Sequence, residues 1–215
     1  MNKYLNTSLS MLAILSVTAF ANASVIDQVV DGRAVYRDLR AYSGGITKDV
    51  DQLDDSVLEG TLSDKGYGDK TIGYPVFELK MAGSVNMEPT DQALLHLYLT
   101  QTGSNASGNA FTLTYAEGDG TIEYSDRGGT DIGTVDPTTA GWLSVDVTSA
   151  VQEAIEENWS WLRLTLTPEG NGDRIYVASS ENEGFEPSVS LVPEPATLGL
   201  LTLGGLTLIR RRRAA

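Results

Sequence analysis

The chain has 215 residues, 41% hydrophobic and 20% charged, a composition that supports the packed core of one ordinary domain. Acidic residues outnumber basic ones, 29 to 15, and the net charge of −14 argues against nucleic acid as a partner of the body of the protein. The absence of cysteine excludes disulfides, thiol catalysis and thiolate metal sites.

Residues 1–23 are predicted to be a secretion signal peptide. Lys3 supplies a positive start, and Leu5–Phe20 is mainly apolar. Ala21, Asn22 and Ala23 give the small-x-small pattern that signal peptidase requires, with cleavage before Ser24. The alternative, a buried helix of the domain, does not explain why the sequence becomes acidic and alternating from this point on.

Residues 24–191 are predicted to form one antiparallel β-sandwich. Apolar and polar residues alternate with a period of two between clusters of Gly, Asn and Asp, as in strands that bury one face. In Gln92–Thr100 every second residue from Ala93 to Leu99 is apolar. The same alternation marks Tyr74–Met81, Ala110–Ala116, Gly141–Val147, Trp161–Thr167, Asp173–Ala178 and Pro187–Val192. Roughly eight to ten such strands are expected, and the fold class is all-β.

Two short segments predict a turn and a helix. Asp31-Gly32, between Val25–Val30 and Arg33–Leu39, is a two-residue hairpin pattern. Ser149–Gln152 fits a capping box, and the apolar stripe after it predicts one short helix that ends near Asn158.

Two glycine-rich acidic loops are candidates for a calcium site. Glu117 and Asp119 lie in one, and Asp64 and Asp69 lie in the other. Carboxylate oxygens are suitable Ca²⁺ ligands, but neither loop has the EF-hand spacing, which favours the alternative of solvated turns. Apart from a structural Ca²⁺, no cofactor is expected.

No residue is predicted to be catalytic. His96 is the single histidine, and it lies mid-strand on the polar face with no nucleophile elbow in the sequence. Two carboxylates flanking a groove would be enough for glycoside hydrolysis, so a carbohydrate-active enzyme remains the alternative.

Trp142 and Trp161 are the candidates for binding a glycan. The strand phase places them opposite Leu143 and Leu162, and hence away from the core. Flat exposed aromatic rings can stack on the apolar faces of sugars. The alternative is that each ring packs under a loop or against the helix. The acidic surface favours a neutral or cationic glycan over a polyanion.

Residues 192–215 form a separate tail. Pro193, Glu194 and Pro195 are followed by the apolar segment Ala196–Ile209 and by four arginines: Arg210, Arg211, Arg212 and Arg213. A helix over the apolar segment would be about 21 Å long, shorter than the ~30 Å hydrocarbon core that a transmembrane helix must cross. The arginines would hold the C-terminus in the cytoplasm.

This tail resembles the PEP-CTERM sorting signal of Gram-negative bacteria. The resemblance implies transient anchoring in the inner membrane and cleavage by an exosortase, followed by a place at the cell surface or in the extracellular matrix. Removal of the signal peptide and the arginines would lower the net charge from −14 to about −19.

The body resembles the DNRLRE, or disaggregatase-related, modules. The resemblance rests on Tyr74–Leu79, on Ala93–Tyr98, on Trp142–Val151, where a strand runs into a short helix, and on Ser179-Ser180-Glu181 with Pro187–Val189. Ser180 replaces an arginine that is common in those modules. The resemblance implies a jelly-roll fold, with carbohydrate binding in some members.

Together these features predict an exported, exosortase-sorted protein of the surface or matrix whose β-sandwich binds polysaccharide or mediates adhesion. Its partners would be signal peptidase and exosortase during export, and then exopolysaccharide or surface proteins. Two alternatives remain: a secreted glycosidase or polysaccharide lyase, and a structural subunit that self-assembles.

Overall fold

The computed structural model describes residues 25–39, 45–53, 55–65, 69–81, 85, 87, 91–102 and 110–192. The predicted signal peptide with its cleavage site, and the sorting tail from Pro193 onward, lie outside these residues. The described part contains twelve strands and one α-helix. They are β1 (Val25–Ile26), β2 (Val29–Leu39), β3 (Ile46–Asp51), β4 (Val57–Asp64), β5 (Asp69–Lys80), β6 (Gln92–Thr102), β7 (Phe111–Gly118), β8 (Thr130–Val135), β9 (Gly141–Asp146), α1 (Thr148–Glu156), β10 (Trp161–Pro168), β11 (Arg174–Ala178) and β12 (Ser188–Val192).

The strands form one antiparallel sheet that curls into a half-barrel. One wall contains β9, β6, β12 and β1, and the other contains β3, β2, β5, β10, β7 and β8. Strands β11 and β4 join the walls, because β11 pairs with β6 and β4, and β4 pairs with β5. The prediction of an all-β fold with one short helix is confirmed. The two walls are parts of one hydrogen-bonded sheet instead of the two separate sheets of a sandwich.

The main hydrophobic core lies between the two walls. The predicted alternation is confirmed in β6, where Ala93, Leu95, Leu97 and Leu99 are buried. Strand β10 contributes its leucines from the facing wall, and α1 contributes Ala150, Val151 and Ala154. The outer faces of the walls therefore hold the remaining residues of the same strands.

The prediction of a hairpin at Asp31-Gly32 is wrong, because both residues lie inside the continuous strand β2. Asp31 pairs with Phe77 and Gly32 with Val76 of β5. A β-carbon at Gly32 would come within 2.7 Å of Leu53 Cδ2. The glycine is therefore required for close packing of a strand and not for a turn.

The predicted capping box is also wrong. Helix α1 begins at Thr148, so Ser149 lies inside its first turn. The Thr148 N–H donates to the Asp146 carboxylate at 2.9 Å, and the Thr148 hydroxyl accepts from the Ala93 N–H at 3.0 Å. These bonds fix the start of the helix to β6, two residues earlier than the pattern indicated.

Strands β3, β4 and β8 have no counterpart in the sequence prediction. Residues of β3 and β8 are exposed or half-buried, as is common for strands at the edge of a sheet. In β4, Gly60 interrupts the alternation, and a β-carbon there would come within 2.9 Å of the Phe111 ring. Neither situation produces a period of two.

The two ends of the described domain lie side by side. β1 pairs antiparallel with β12, and Val25 lies opposite Ser190. Val192, the last residue of β12, immediately precedes the Pro-Glu-Pro sequence. The N-terminus and the sorting tail therefore leave the domain at the same end. Within the described ranges, no helix is both long and apolar enough to cross a membrane.

Candidate functional site

The outer face of β6, β9 and β12 is exposed to solvent and carries the candidate site. In the register of the sheet, Tyr98 of β6 lies opposite Trp142 of β9, and His96 lies opposite Ser144. On the other side of β6, His96 lies opposite Ser188 of β12. Alternation along each strand sends apolar neighbours into the core and leaves these side chains outside.

Three aromatic rings form a compact group on this face, which we call the aromatic cluster: Tyr98, Trp142 and Phe185. The Tyr98 ring centroid lies 5.4 Å from that of Trp142 in an edge-on arrangement and 4.2 Å from that of Phe185. Trp142 and Phe185 are 6.1 Å apart. Trp142 is 56% exposed and Phe185 36% exposed, so the cluster presents apolar ring surface to solvent.

A row of hydrogen-bonding groups lies beside the aromatic cluster. The His96 ring contacts Ser144 Oγ at 2.9 Å through Nδ1 and Ser190 Oγ at 2.7 Å through Nε2. Ser144 belongs to β9 and Ser190 to β12, so this polar row crosses three neighbouring strands. His96 and Ser144 lie two residues along β6 and β9 from Tyr98 and Trp142, or roughly 7 Å at the usual strand rise. Ser190 lies on the far side of His96, opposite Leu94.

Phe185 is held by the segment 179–187, which connects β11 to β12. The Ser180 N–H donates to the Asp31 carboxylate at 2.6 Å, and the Ser180 hydroxyl donates to it at 3.2 Å. The Ser179 N–H donates to the Ser56 carbonyl at 3.1 Å. Burial raises the pKa of Asp31 to about 6, against the lowering effect of the Ser180 hydrogen bonds. The position of Phe185 therefore depends on contacts with the opposite wall.

The electrostatic character of this face is neutral to negative. Strands β6, β9 and β12 and the segment 179–187 contain no lysine or arginine. They contain four acids: Asp146, Glu181, Glu183 and Glu186. Backbone hydrogen bonds lower the pKa of Glu186, so its carboxyl is ionised at neutral pH. A polyanion would be repelled by this face.

Trp161 lies on the other wall, apart from the aromatic cluster. It points away from Leu162 and the core, as predicted, but it is half-buried. A β-carbon at Gly120 would come within 2.7 Å of the Trp161 ring, which shows that the chain packs closely on the indole. Lys80 Nζ lies 5.8 Å from the ring centroid. The structure therefore does not bring Trp142 and Trp161 together.

The chain segment over Trp161 covers the outer face of β2, β5 and β10. This covering segment comprises residues 119–129, between β7 and β8. Its Ile122 packs on Ala34 and Val76, and its Asp126 pairs with Arg163 at 2.7 Å. Beneath it, Glu78 is fully buried and accepts hydrogen bonds from two backbone N–H groups of the segment. Desolvation raises the pKa of Glu78.

The calcium candidates fall in separate places. Glu117 lies at the end of β7, and the Asp119 carboxylate accepts the Thr121 N–H at 2.8 Å, as in a solvated turn. Asp64 ends β4, where its backbone bonds to Asn171, and the side chain of Asp69 lies outside the described part. No group of three or more His, Cys, Asp or Glu in the described residues is arranged to hold a metal. Calcium binding stays a prediction.

Sequence reasoning missed four members of the site: Tyr98, Phe185, Ser144 and Ser190. Tyr98 shares the polar face of β6 with His96, so the alternation itself pointed to it. Phe185 lies in a connecting segment without periodicity, and its contact with Tyr98 arises from tertiary packing. The two serines become notable only when the register of three strands places them around one imidazole.

Comparison with protein families matches residues 191–213 to the PEP-CTERM protein-sorting motif. The matched range contains Pro193, Glu194, Pro195 and the four arginines, in agreement with the sequence prediction. The motif implies an exported protein that is processed by an exosortase and transiently anchored in the membrane before sorting. A comparison of the chain with curated proteins gives no match.

Proposed function

We propose that this exported, exosortase-sorted protein is a non-enzymatic module of the cell surface or extracellular matrix that binds polysaccharide. The observation that carries the proposal is the aromatic cluster. Trp142 and Phe185 are two of the few large hydrophobic side chains that remain exposed in the described part. They pack on Tyr98 and on each other instead of being scattered over the surface.

Such a cluster suits the apolar face of a sugar ring. Aromatic rings offer a large contact area at low conformational cost, and the indole N–H and phenol O–H can also bind hydroxyls. A contiguous exposed apolar patch commonly marks an interaction site.

Distance argues against the membrane as the partner of the cluster. Gln92 lies opposite Val192, where the sorting tail begins. Tyr98 is six residues further along β6, which corresponds to about 20 Å at the strand rise. The aromatic cluster therefore lies well away from the point where the sorting tail begins, which favours a partner other than the anchoring membrane.

The non-enzymatic part of the proposal rests on His96. Both of its ring nitrogens are hydrogen-bonded to serine hydroxyls on an open sheet face. A general base must reach a substrate proton in a site that positions the reacting groups. With both nitrogens engaged by serines, the His96 ring is better suited to ordering hydroxyls for binding than to turnover.

The test uses the processed protein purified from the exporting cells. Affinity electrophoresis through hydroxyethyl cellulose and through dextran measures binding to two neutral polysaccharides. Trp142→Ala should weaken binding about fivefold or more, since stacking on one aromatic ring contributes about 1 kcal/mol or more. Ile46→Ala, which removes another exposed apolar side chain (48% exposed), is the matched control and should bind normally. Equal mobility of the Trp142 variant and the native protein in every gel would refute the proposed site.

A further inference from the structure

We infer that the polar row of Ser144, His96 and Ser190 is the second half of the same site, and that it binds the hydroxyl edge of an uncharged pyranose stacked on the aromatic cluster. This inference rests on the proposed function. It adds the chemical class of the ligand and names residues that select it. It also gives His96 a role that is not catalytic.

The geometry places the two halves within reach of one ligand. Trp142 and Ser144 lie on the same face of β9, and Tyr98 and His96 on the same face of β6. The rows are separated by two residues, roughly 7 Å along each strand. A sugar ring that lies flat on Trp142 therefore directs one edge, with its hydroxyls, toward Ser144 and His96.

The hydrogen-bond inventory leaves capacity for a ligand. A neutral imidazole has one N–H donor and one acceptor nitrogen, so one serine hydroxyl accepts from the His96 ring and the other donates to it. Each hydroxyl has one donor and two acceptor sites, and its bond to His96 uses one of them. Ser144 is exposed and Ser190 half-buried, so the unused sites of both are open to solvent.

His96 acts here as a positioning residue. It bonds both serines at once, at 2.9 and 2.7 Å, and thereby restricts their hydroxyl rotors before any ligand arrives. Groups that are ordered in the free protein lose less entropy on binding. The row is therefore preorganised to distinguish a hydroxylated ring edge from a merely apolar surface.

The charges around the row select against acidic sugars. The three strands and the segment 179–187 supply four acids and no basic residue. Arg163 pairs with Asp126 on the other wall at 2.7 Å. Arg174 on β11 pairs with Glu59 of β4 at 3.1 Å, so each of these two arginines already has a carboxylate partner. A uronate on the aromatic cluster would approach carboxylates without a compensating cation.

Isothermal titration calorimetry of the processed full protein against hydroxyethyl cellulose, dextran and alginate tests the inference. The double variant Ser144→Ala/Ser190→Ala should bind the better neutral polysaccharide about tenfold more weakly, with an unchanged melting temperature. His96→Leu should weaken binding to a similar degree, and His96→Gln should restore part of it, because an amide can still bond a serine. Ser63→Ala, on β4, is the matched control and should bind normally.

Each outcome separates the two proposals. If Trp142→Ala loses binding while the serine and histidine variants bind as the native protein does, the polar row is not part of the site and the polysaccharide-binding proposal stands. If none of these substitutions alters binding, the proposed function fails as well. Alginate binding as tight as that of the neutral polymers, in the presence of a chelator, would overturn the uncharged ligand class.

Discussion

The two outer faces of the curled sheet differ in how the protein treats them. The outer face of β2, β5 and β10 is covered by residues 119–129, which bury Glu78 and bring Asp126 onto Arg163. The outer face of β6, β9 and β12 has no such cover in the described part, and Trp142 remains 56% exposed there. Both faces carry a tryptophan, but only Trp161 is covered by a chain segment that packs over the strands.

This difference indicates which face contributes to stability and which face is available for binding. On the covered face, charged groups are paired or accept backbone hydrogen bonds, and their loss leaves a buried polar group without a partner. On the uncovered face, apolar rings remain in water, which gives the folded state little stabilisation. Substitutions should therefore affect unfolding on one face and binding on the other.

The largest expected effect is on the covered face. Arg163→Ala should lower the free energy of unfolding by about 3 kcal/mol or more, because it removes the cation that pairs with the buried Asp126 carboxylate of the covering segment. Urea denaturation measures the loss. Arg174→Ala, which breaks a pair with a 48% exposed arginine, should cost about 1 kcal/mol or less. Equal losses of unfolding free energy in Arg163→Ala and Arg174→Ala would contradict the distinction between a covered and an open face.

The second-largest effect concerns the buried Asp31, whose carboxylate accepts hydrogen bonds from Ser180. The pKa of Asp31 is about 6 in the folded state against 3.8 for an ordinary carboxyl, so the folded protein binds this proton more tightly than the unfolded chain. Stability from this group is therefore present below about pH 4 and declines as the pH rises to about 6, by about 3 kcal/mol. Asp31→Asn should remove that decline and make the protein more stable at pH 7.

Thermal unfolding between pH 3.5 and 7.5 measures this profile. Asp27→Asn, at an exposed aspartate, is the control and should retain the decline of the native protein. A profile for Asp31→Asn that still falls over the same range would show that another group is responsible. Ser180 bonds Asp31 and lies in the same segment as Phe185. If the new side-chain amide keeps those bonds, Asp31→Asn should also leave the aromatic cluster in place.

The smallest effects compare the two tryptophans directly. Trp161→Ala should lower the free energy of unfolding by about 1 to 2 kcal/mol, since Gly120 packs on its ring. Trp142→Ala should change it by about 0.5 kcal/mol or less, because the ring is mostly in water. Differential scanning calorimetry of the pair gives the answer. A larger loss for Trp142 than for Trp161 would reverse the comparison.

Local sequence patterns were enough to predict the parts of the protein that depend on local chemistry. The alternation in Gln92–Thr100 and Trp161–Thr167 predicted buried leucines, because side chains of a strand alternate between its faces. The order of Pro-Glu-Pro, apolar segment and arginines predicted the sorting motif that the family comparison finds at residues 191–213.

The way in which those strands pair and pack could be read only from the tertiary structure. Asp31-Gly32 has the composition of a turn, yet β2 pairs with β5 without a break across these two residues. The lack of a side chain at Gly32 leaves room for the Leu53 side chain. Trp142 and Trp161 have the same strand phase, but whether a ring is covered depends on a segment distant in sequence. The contacts of Phe185 with Tyr98 and of His96 with two serines also arise from tertiary structure. Strand register and segment packing bring together residues that no local sequence pattern connects.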